Sequence, residues 1–361
     1  MPRRITLFFA LVIFVTAVVV GAQSKKELEI YSIDVEGGNS VLFVSPSGQS
    51  LLFDAGNPGA RDADQIANAA KKAGLKQIDY LVISHFHGDH FGSVPELATR
   101  IPIITFVDHG PKMIETREAS VNAYNAYAAV RDKAHYMPVK AGDKVPIKGL
   151  DVEVVTSDGV GIAKPLPGAG APNPLCKDAK PLVENEPGSP GAEDGRSVGI
   201  VVRYGKFRVV EFGDLTFGKE NALVCPNNLI GKVDLYFTDR HGLAAGSPEF
   251  VHALAPRVAI FDNSARKGIM RDSFMTVKSS PGIEDIWQLH YSVPRQANPN
   301  LGETGDQGGK DANTADENIA NLAEQHTAAD PAHNLQISAH QNGSFAITNE
   351  RTGYSKEYKA H

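Results

Sequence analysis

The feature that most constrains the fold of this chain is a cluster of metal-ligand side chains directly after a run of strand-forming residues. The cluster is Ser84-His85-Phe86-His87-Gly88-Asp89-His90, and the apolar run before it is Ile78-Asp79-Tyr80-Leu81-Val82-Ile83. Side chains of an extended segment alternate sides, so His85 and His87 should point the same way and share one cation. Gly88 permits a sharp turn, which would carry Asp89 and His90 to a second cation. Imidazole and carboxylate ligands together predict two divalent ions, with zinc preferred and manganese or iron as alternatives.

Strand and helix signals around this cluster predict a mixed α/β fold. Short apolar segments precede it at 28–35, 41–44 and 51–54, separated by glycine-containing turns. The spacing of small and apolar residues predicts a helix over 62–73. Strands that turn into β-α-β units indicate a sheet with helices on its outer face.

The H-x-H-x-D-H pattern of the cluster resembles the signature of the metallo-β-lactamase superfamily. The segments Asp34–Ser40 and Phe53–Gly56 narrow the resemblance to the branch with the extracellular hydrolase domain of the competence DNA-uptake channel. Glu36 departs from the glycine of that branch. The resemblance implies an αββα sandwich over residues 23–361, with a dinuclear metal site at one edge of the paired sheets.

The resemblance also implies a role for each site residue. The metal ligands would be His85 and His87 for the first ion, Asp89, His90 and His241 for the second, and Asp214 as a bridge between both. Asp89 and Asp54 are the residues expected to support catalysis, Asp54 by orienting the metal loop as a hydrogen-bond acceptor. No organic cofactor is expected.

The third ligand of the first metal is missing from the pattern. Most of the superfamily has a histidine between the metal loop and the bridging aspartate, and His135 follows a predicted helix without reaching a strand end. His109, Asp194, Ser197 and a water molecule remain as alternatives.

The segment Gly195-Arg196-Ser197-Val198-Gly199 matches G-x-S-x-G, the pattern of a serine esterase. That nucleophile needs a strand before the serine and a helix after it. Here a predicted loop precedes Ser197 and a predicted strand follows, so Ser197 is not expected to be a nucleophile.

The first 22 residues have the pattern of a secretory signal peptide. Two arginines precede the apolar stretch Ile5–Val20, and Val20-Gly21-Ala22 offers small residues for cleavage. An uncleaved anchor is the alternative. We therefore expect a secreted or periplasmic protein without a stable membrane partner after cleavage. In such a compartment Cys176 and Cys225 can form a disulfide, although two free thiols are the alternative.

Composition limits the partners and marks two irregular insertions. The formal net charge is −6 and no run of lysine or arginine stands out, which argues against a dedicated nucleic-acid surface. Segments 161–195, rich in proline and glycine, and 298–329, which is polar, are predicted insertions. The oligomeric state is not indicated.

These observations predict an exported hydrolase that uses a metal-activated hydroxide. Phosphodiester bonds are the expected target, in a small molecule or a short oligonucleotide, because two metals can stabilise the attacking and leaving oxygens. The alternatives are a lactone, β-lactam or ester hydrolase of the same fold, or a non-catalytic extracellular module that binds metal.

Overall fold

The structure is a computed structural model that describes residues 1, 27–177, 192–296, 307–324 and 331–360. Residues 2–22 of the predicted signal peptide, and parts of both predicted insertions, lie outside the described residues. Within the described ranges, no helix combines the length and the apolar character needed to cross a membrane.

Two nine-stranded sheets organise the described part of the chain. The first contains β1 (Leu28–Ser32), β2 (Val41–Val44), β3 (Ser50–Phe53), β4 (Ile78–Val82), β5 (Ile103–Asp108), β6 (His135–Pro138), β16 (Leu335–Ala339), β17 (Phe345–Asn349) and β18 (Ser355–Tyr358). Their order is β18-β17-β16-β1-β2-β3-β4-β5-β6, and β3 to β6 are parallel.

The second sheet is built from the middle of the chain. It contains β7 (Lys144–Val145), β8 (Asp151–Ser157), β9 (Val160–Gly161), β10 (Gly199–Tyr204), β11 (Phe207–Glu211), β12 (Leu235–Phe237), β13 (Val258–Phe261), β14 (Asp285–His290) and β15 (Ile319–Asn321). The order is β15-β14-β13-β12-β11-β10-β8-β7, with β9 on β8. Strands β11 to β15 are parallel.

Helices cover the outer face of each sheet. The helices are α1 (Ala60–Lys72), α2 (Gly88–Phe91), α3 (Val94–Arg100), α4 (Glu118–Arg131), α5 (Phe217–Val224), α6 (Pro248–Leu254) and α7 (Arg271–Lys278). One apolar cluster contains side chains of both sheets, including Phe53 and Trp287. A second packs the first sheet against α1, α3 and α4, and a third packs the other sheet against α5, α6 and α7. The predicted αββα sandwich is confirmed.

The parallel strands explain where polar side chains collect. Carboxyl ends of parallel strands lie at the same edge of a sheet. Strands β3 and β4 end just before Asp54 and Ser84, whereas β11, β12 and β13 end just before Asp214, Asp239 and Asp262. The order of strands therefore places the metal loop and the later aspartates at corresponding strand ends.

Regular structure extends further than the sequence predicted. Strand β15, with Ile319 and Ala320 fully buried, lies within the predicted insertion 298–329. His135 begins β6, although the sequence pattern placed it outside any strand. Both strands are short and lie at sheet edges. Their extended conformation depends on pairing with β5 and β14, which a local sequence pattern does not reveal. The predicted disulfide between Cys176 and Cys225 is confirmed.

Candidate metal centre

The metal loop joins β4 to α2 and presents two histidines on one side. His87 has extended backbone angles, φ −94° and ψ 144°, immediately before α2 begins at Gly88. The Nε2 atom of His85 and the Nδ1 atom of His87 lie 2.9 Å apart, as the alternation of an extended segment predicts. The chain turns because a helix begins at Gly88, and this glycine does not have a positive φ. The special freedom of glycine is therefore not what redirects Asp89 and His90.

A first ligand group consists of His85, His87, Asp194 and Asp214, with one ligand atom from each within 4.8 Å of the others. Asp194 Oδ1 lies 2.8 Å from His87 Nδ1 and 3.6 Å from His85 Nε2. Tetrahedral coordination with metal–ligand bonds near 2.1 Å separates ligand atoms by about 3.4 Å. One of the separations is close to this value and two are shorter, at hydrogen-bond length, so the side chains converge and would have to spread slightly to hold a divalent ion.

A second ligand group consists of Asp89, His90 and His241, again with ligand atoms within 4.8 Å. Asp89 Oδ2 lies 3.7 Å from His90 Nε2 and 3.5 Å from His241 Nε2. Asp214 Oδ1, from the first group, lies 3.2 Å from His90 Nε2 and 3.5 Å from His241 Nε2. Asp214 thus faces both groups, which is the position expected of a bridging ligand.

Several ligand atoms in these groups are buried without a hydrogen-bond partner. They are His90 Nε2, His241 Nε2, Asp194 Oδ1 and Asp214 Oδ1. Buried polar atoms normally have partners because an unpaired one costs free energy. Two divalent cations between these atoms would satisfy all four, so the residues present fit the metals that the sequence predicts. Their roles as ligands remain predictions.

Carboxylates outside the two groups orient three of the imidazoles. The pairs are His90 Nδ1 with Asp54 Oδ2 at 2.7 Å, His241 Nδ1 with Asp262 Oδ2 at 3.0 Å, and His87 Nε2 with Glu115 Oε1 at 2.9 Å. A ring nitrogen that donates to a carboxylate leaves the other nitrogen with a lone pair for a metal. Sequence reasoning identified Asp54 but missed Asp262 and Glu115. Asp262 directly follows a buried strand, the same signal that marked Asp214, whereas Glu115 carries no such signal.

Asp54 acts as a positioning residue. Its side chain accepts hydrogen bonds from the backbone and hydroxyl groups of Ser84, both at 2.7 Å, and from Asn39 Nδ2 at 3.1 Å. Burial raises the pKa of Asp54, although the His90 imidazole opposes that shift. Asp54 therefore contacts both Ser84 and His90 of the metal loop, as its predicted orienting role requires.

Among the alternatives for the missing ligand, Asp194 is the one that the structure brings into the first ligand group. His109 Nε2 instead bonds to Glu193 Oε1 at 2.9 Å, and Ser197 is fully buried in front of β10. Arg240 Nη2 holds the other carboxylate oxygen of Asp194, Oδ2, at 2.9 Å. This contact leaves Oδ1 facing His87. Because no helix follows Ser197, the esterase pattern has no structural support.

The turn after β12 positions Arg240 and His241 together. Both residues have left-handed backbone angles, with φ 50° and 58°. Such angles are unfavourable for residues with a side chain and persist where the surrounding contacts impose them. Here the turn lets Arg240 reach Asp194 in the first ligand group, while His241 reaches the second.

Lys267 is a further charged residue that the sequence did not single out. Its ammonium group contacts Asp89 Oδ2 and donates to the backbone carbonyl of Gly37 at 2.6 Å. Burial lowers the pKa of Lys267, but the Asp89 and Asp214 carboxylates raise it more, so it lies above its ordinary value. Lys267 therefore carries a positive charge beside the second ligand group.

The carboxylates create an environment that favours cations. Burial lowers the pKa of His87, but the Asp194 and Glu115 carboxylates beside its two ring nitrogens raise it more strongly, to about 10. The pKa of His90 is also raised, because Asp214 and Asp89 outweigh the effect of burial. The negative charge that holds protons on these rings would also attract divalent ions, whose binding requires neutral imidazoles.

The centre is open to solvent on one side. The side chains of His87, Asp89 and Asp214 keep 19%, 22% and 12% of their surface exposed, whereas His85 and His90 are fully buried. A small molecule can therefore approach the ligand groups from the side of His87, Asp89 and Asp214.

Parts of the chain are similar to known proteins. Residues 33–174 match the family model of the metallo-beta-lactamase superfamily. The chain is 38% identical over 61 residues to ribonuclease Z of Clostridioides difficile, covering 17% of this chain and 18% of that protein. It is 28% identical over 125 residues to ribonuclease Z of Methanosarcina acetivorans, covering 33% and 38%. The chain thus matches less than half the length of these relatives.

A solved structure with a similar fold is the metallo-beta-lactamase fold protein YhfI from Bacillus subtilis. The identity is 12%, the TM-score is 0.42, and the similarity covers 73% of this chain and 96% of that one.

Proposed function

We propose that this chain, part of which matches the metallo-β-lactamase superfamily, hydrolyses phosphodiester bonds with two divalent ions. Members of that superfamily are metal-dependent hydrolases. His85, His87 and Asp194 would hold one ion, and Asp89, His90 and His241 the other, with Asp214 shared. When bound, two such ions lower the pKa of water and stabilise charge on the attacking and leaving oxygens of a phosphodiester.

The observation that carries the proposal is the position of Asp214. Its Oδ1 atom is buried without a hydrogen-bond partner and lies within 3.5 Å of ligand nitrogens of the second group, while the residue also belongs to the first. A carboxylate shared in this way would hold two cations close together. That arrangement suits displacement at phosphorus, where charge develops on two oxygens.

Two further features support a phosphodiester as the substrate. Arg240 contacts Asp194 of the first ligand group and Lys267 contacts Asp89 of the second, so each group has a positive side chain beside it that could attract a phosphate. The relatives named ribonuclease Z also act, by that name, on a nucleic acid. Zinc remains the preferred ion because imidazole and carboxylate ligands suit it.

The competence-like branch remains part of this proposal. Glu36 stands where that branch has glycine, and its φ of 52° lies in the left-handed region that favours glycine. The backbone at this position thus keeps the conformation that the glycine of that branch would adopt readily.

Export is a second part of the proposal. The apolar amino-terminal stretch predicts a signal peptide, and the disulfide between Cys176 and Cys225 is typical of an oxidising compartment. Fractionation of expressing cells, with amino-terminal sequencing of the mature chain, tests this directly. A mature chain that begins near residue 23 is expected, whereas an intact amino terminus in the cytoplasmic fraction would contradict export.

The activity is tested with zinc- or manganese-loaded protein and bis(p-nitrophenyl) phosphate or short single-stranded DNA. We expect turnover that a chelator abolishes. His241→Ala should reduce the rate by about a hundredfold or more, because an ion that has lost a ligand would no longer be held where it stabilises the charge on the reacting oxygens. Ser197→Ala is the matched control and should keep most of the activity, since Ser197 is buried.

Other outcomes identify the alternatives. Opening of nitrocefin or an acyl-lactone without diester turnover would indicate the lactone or β-lactam hydrolase. Bound metal without any turnover would indicate the non-catalytic module, and absence of bound metal would contradict the metal-dependent proposal altogether.

A further inference from the structure

The two ligand groups differ in how a positive side chain contacts their carboxylate. In the first group, Arg240 bonds to Oδ2 of Asp194, and the other oxygen, Oδ1, faces the histidines. In the second group, Lys267 contacts Oδ2 of Asp89, the same oxygen that lies 3.5 Å from His241 Nε2. Arg240 therefore bonds to the Asp194 oxygen that points away from the histidines, whereas Lys267 contacts the Asp89 oxygen that points toward them.

We propose that Lys267 makes the second ligand group the weaker of the two metal sites, so that its ion exchanges readily while the first ion is retained. This inference rests on the proposed two-metal function. An ammonium group and a divalent ion that share one carboxylate oxygen repel each other at short distance, and the effect is strong where water is partly excluded. Arg240 repels an ion in the first group less, because its charge lies on the opposite side of Asp194.

The surrounding contacts keep Lys267 in place. Its ammonium also donates to the carbonyl of Gly37 at 2.6 Å, and only 29% of its side chain is exposed. The backbone N–H of Ser264 donates to the carbonyl of Lys267, and the Ser264 hydroxyl accepts from the backbone N–H of Lys267. Ser264 also packs against Gly37, where an added Cβ atom would lie 3.0 Å from the Ser264 side chain. The ammonium is thus held beside Asp89 by a fixed turn and does not move freely into solvent.

The pairing also reduces the charge that Asp89 offers to an ion. A carboxylate oxygen that already accepts a hydrogen bond from an ammonium group is a weaker ligand than one whose cationic partner bonds to the other oxygen, as Arg240 does at Asp194. Both groups otherwise offer two imidazoles and one carboxylate, and Asp214 faces both of them. The position of the cationic side chain is therefore the main difference between the sites.

The test measures metal affinity directly, without relying on turnover. Chelator-treated full-length protein is titrated with zinc, using calorimetry and competition with a chromophoric chelator. For the unmodified protein we expect two binding steps whose Kd values differ by about tenfold or more. Lys267→Gln keeps a donor for Gly37 and removes the charge, so the weaker Kd should fall by about tenfold or more. The tighter Kd should stay the same.

Two variants act as matched controls. Lys267→Arg keeps the charge and should keep the weak second step. Arg266→Gln removes one positive charge from the neighbouring residue, which is exposed and pairs with Glu324, and should leave both steps unchanged. A tighter second step in Arg266→Gln as well would attribute the effect to net charge and overturn the inference.

The inference can fail separately from the proposed function. Two equally tight ions in the unmodified protein would overturn it without any variant, and so would a second step in Lys267→Gln as weak as the original. If Lys267→Gln does not fold, Lys267→Met provides the same removal of charge. A protein that binds no zinc or manganese at all would instead overturn the proposed function.

Discussion

At the scale of single residues, the centre depends on pairs in which one side chain orients another. Asp54, Asp262 and Glu115 each accept a hydrogen bond from the outer nitrogen of an imidazole. Arg240 does the same for a carboxylate by holding the outer oxygen of Asp194. Each pair leaves one atom directed at the ligand groups. The local geometry is therefore determined before any ion binds.

The first prediction at this scale concerns Asp194. Asp194→Ala should reduce the metal content from close to two ions per chain to close to one, because the first ligand group loses a buried carboxylate that faces His87. Elemental analysis of protein grown with excess zinc measures this. His109→Gln is the control, since His109 bonds to Glu193 outside both groups. Loss of an ion in His109→Gln, but not in Asp194→Ala, would show that the third ligand has been misassigned.

At the scale of elements, the parallel strands bring distant segments of the chain to one edge of each sheet. A disulfide closes the segment between Cys176 and Cys225. Cys176 follows Leu175 in a short 3-10 turn at Pro174–Lys177, and Cys225 directly follows α5. The bonded cysteines are 49 positions apart, and the chain between them carries both Asp194 and Asp214. The disulfide thus closes a loop that contains two residues of the first ligand group.

The prediction at this scale concerns stability. Replacing both cysteines with serine should lower the free energy of unfolding by about 2–4 kcal/mol, because closing a loop of this length restricts the unfolded chain. Urea denaturation followed by fluorescence measures the change. Unmodified protein kept in a reductant is the matched control and should resemble the double variant. Two reactive thiols in denatured, unreduced protein would contradict the disulfide itself.

At the scale of the whole molecule, the apolar layer between the sheets holds the two halves of the site in register. Trp287 is fully buried in this layer, and its Nε1 atom donates to the hydroxyl of Tyr358 at 2.8 Å. Strand β14, with Trp287, belongs to one sheet and β18, with Tyr358, to the other. This hydrogen bond therefore joins the sheets directly.

The prediction at this scale is that Tyr358→Phe lowers the free energy of unfolding by about 1–3 kcal/mol, since it leaves the buried Trp287 N–H without an acceptor. The sequence contains one tryptophan, so its fluorescence reports unfolding of this layer. Tyr354→Phe is the control, because Tyr354 stacks against Trp287 from an exposed position, and the change should stay within about 0.5 kcal/mol. A Tyr358→Phe protein as stable as the original would contradict this account of the contact between the sheets.

The sequence by itself determined the fold class and the metal loop. Strand and helix patterns are local. The predicted ligands His85, His87, Asp89 and His90 lie on one strand-to-helix connection, so their spacing is enough to predict which of them face the first ligand group and which the second. Asp214 and His241 were also predicted, because the resemblance implies which strand ends carry the later ligands. These inferences required no knowledge of which distant segments meet.

The tertiary structure alone decided the residues that meet the metal loop from elsewhere. Glu115 lies 28 positions from His87, and Lys267 lies 178 positions from Asp89. No local pattern marks such residues, because their proximity depends on how loops at the ends of two packed sheets approach each other. That Asp194 rather than His109 meets the metal loop had the same cause. Both lie near strand ends in the sequence, and only the packing of Arg240 and of the 3-10 turn Asp194–Arg196 shows which one faces His87.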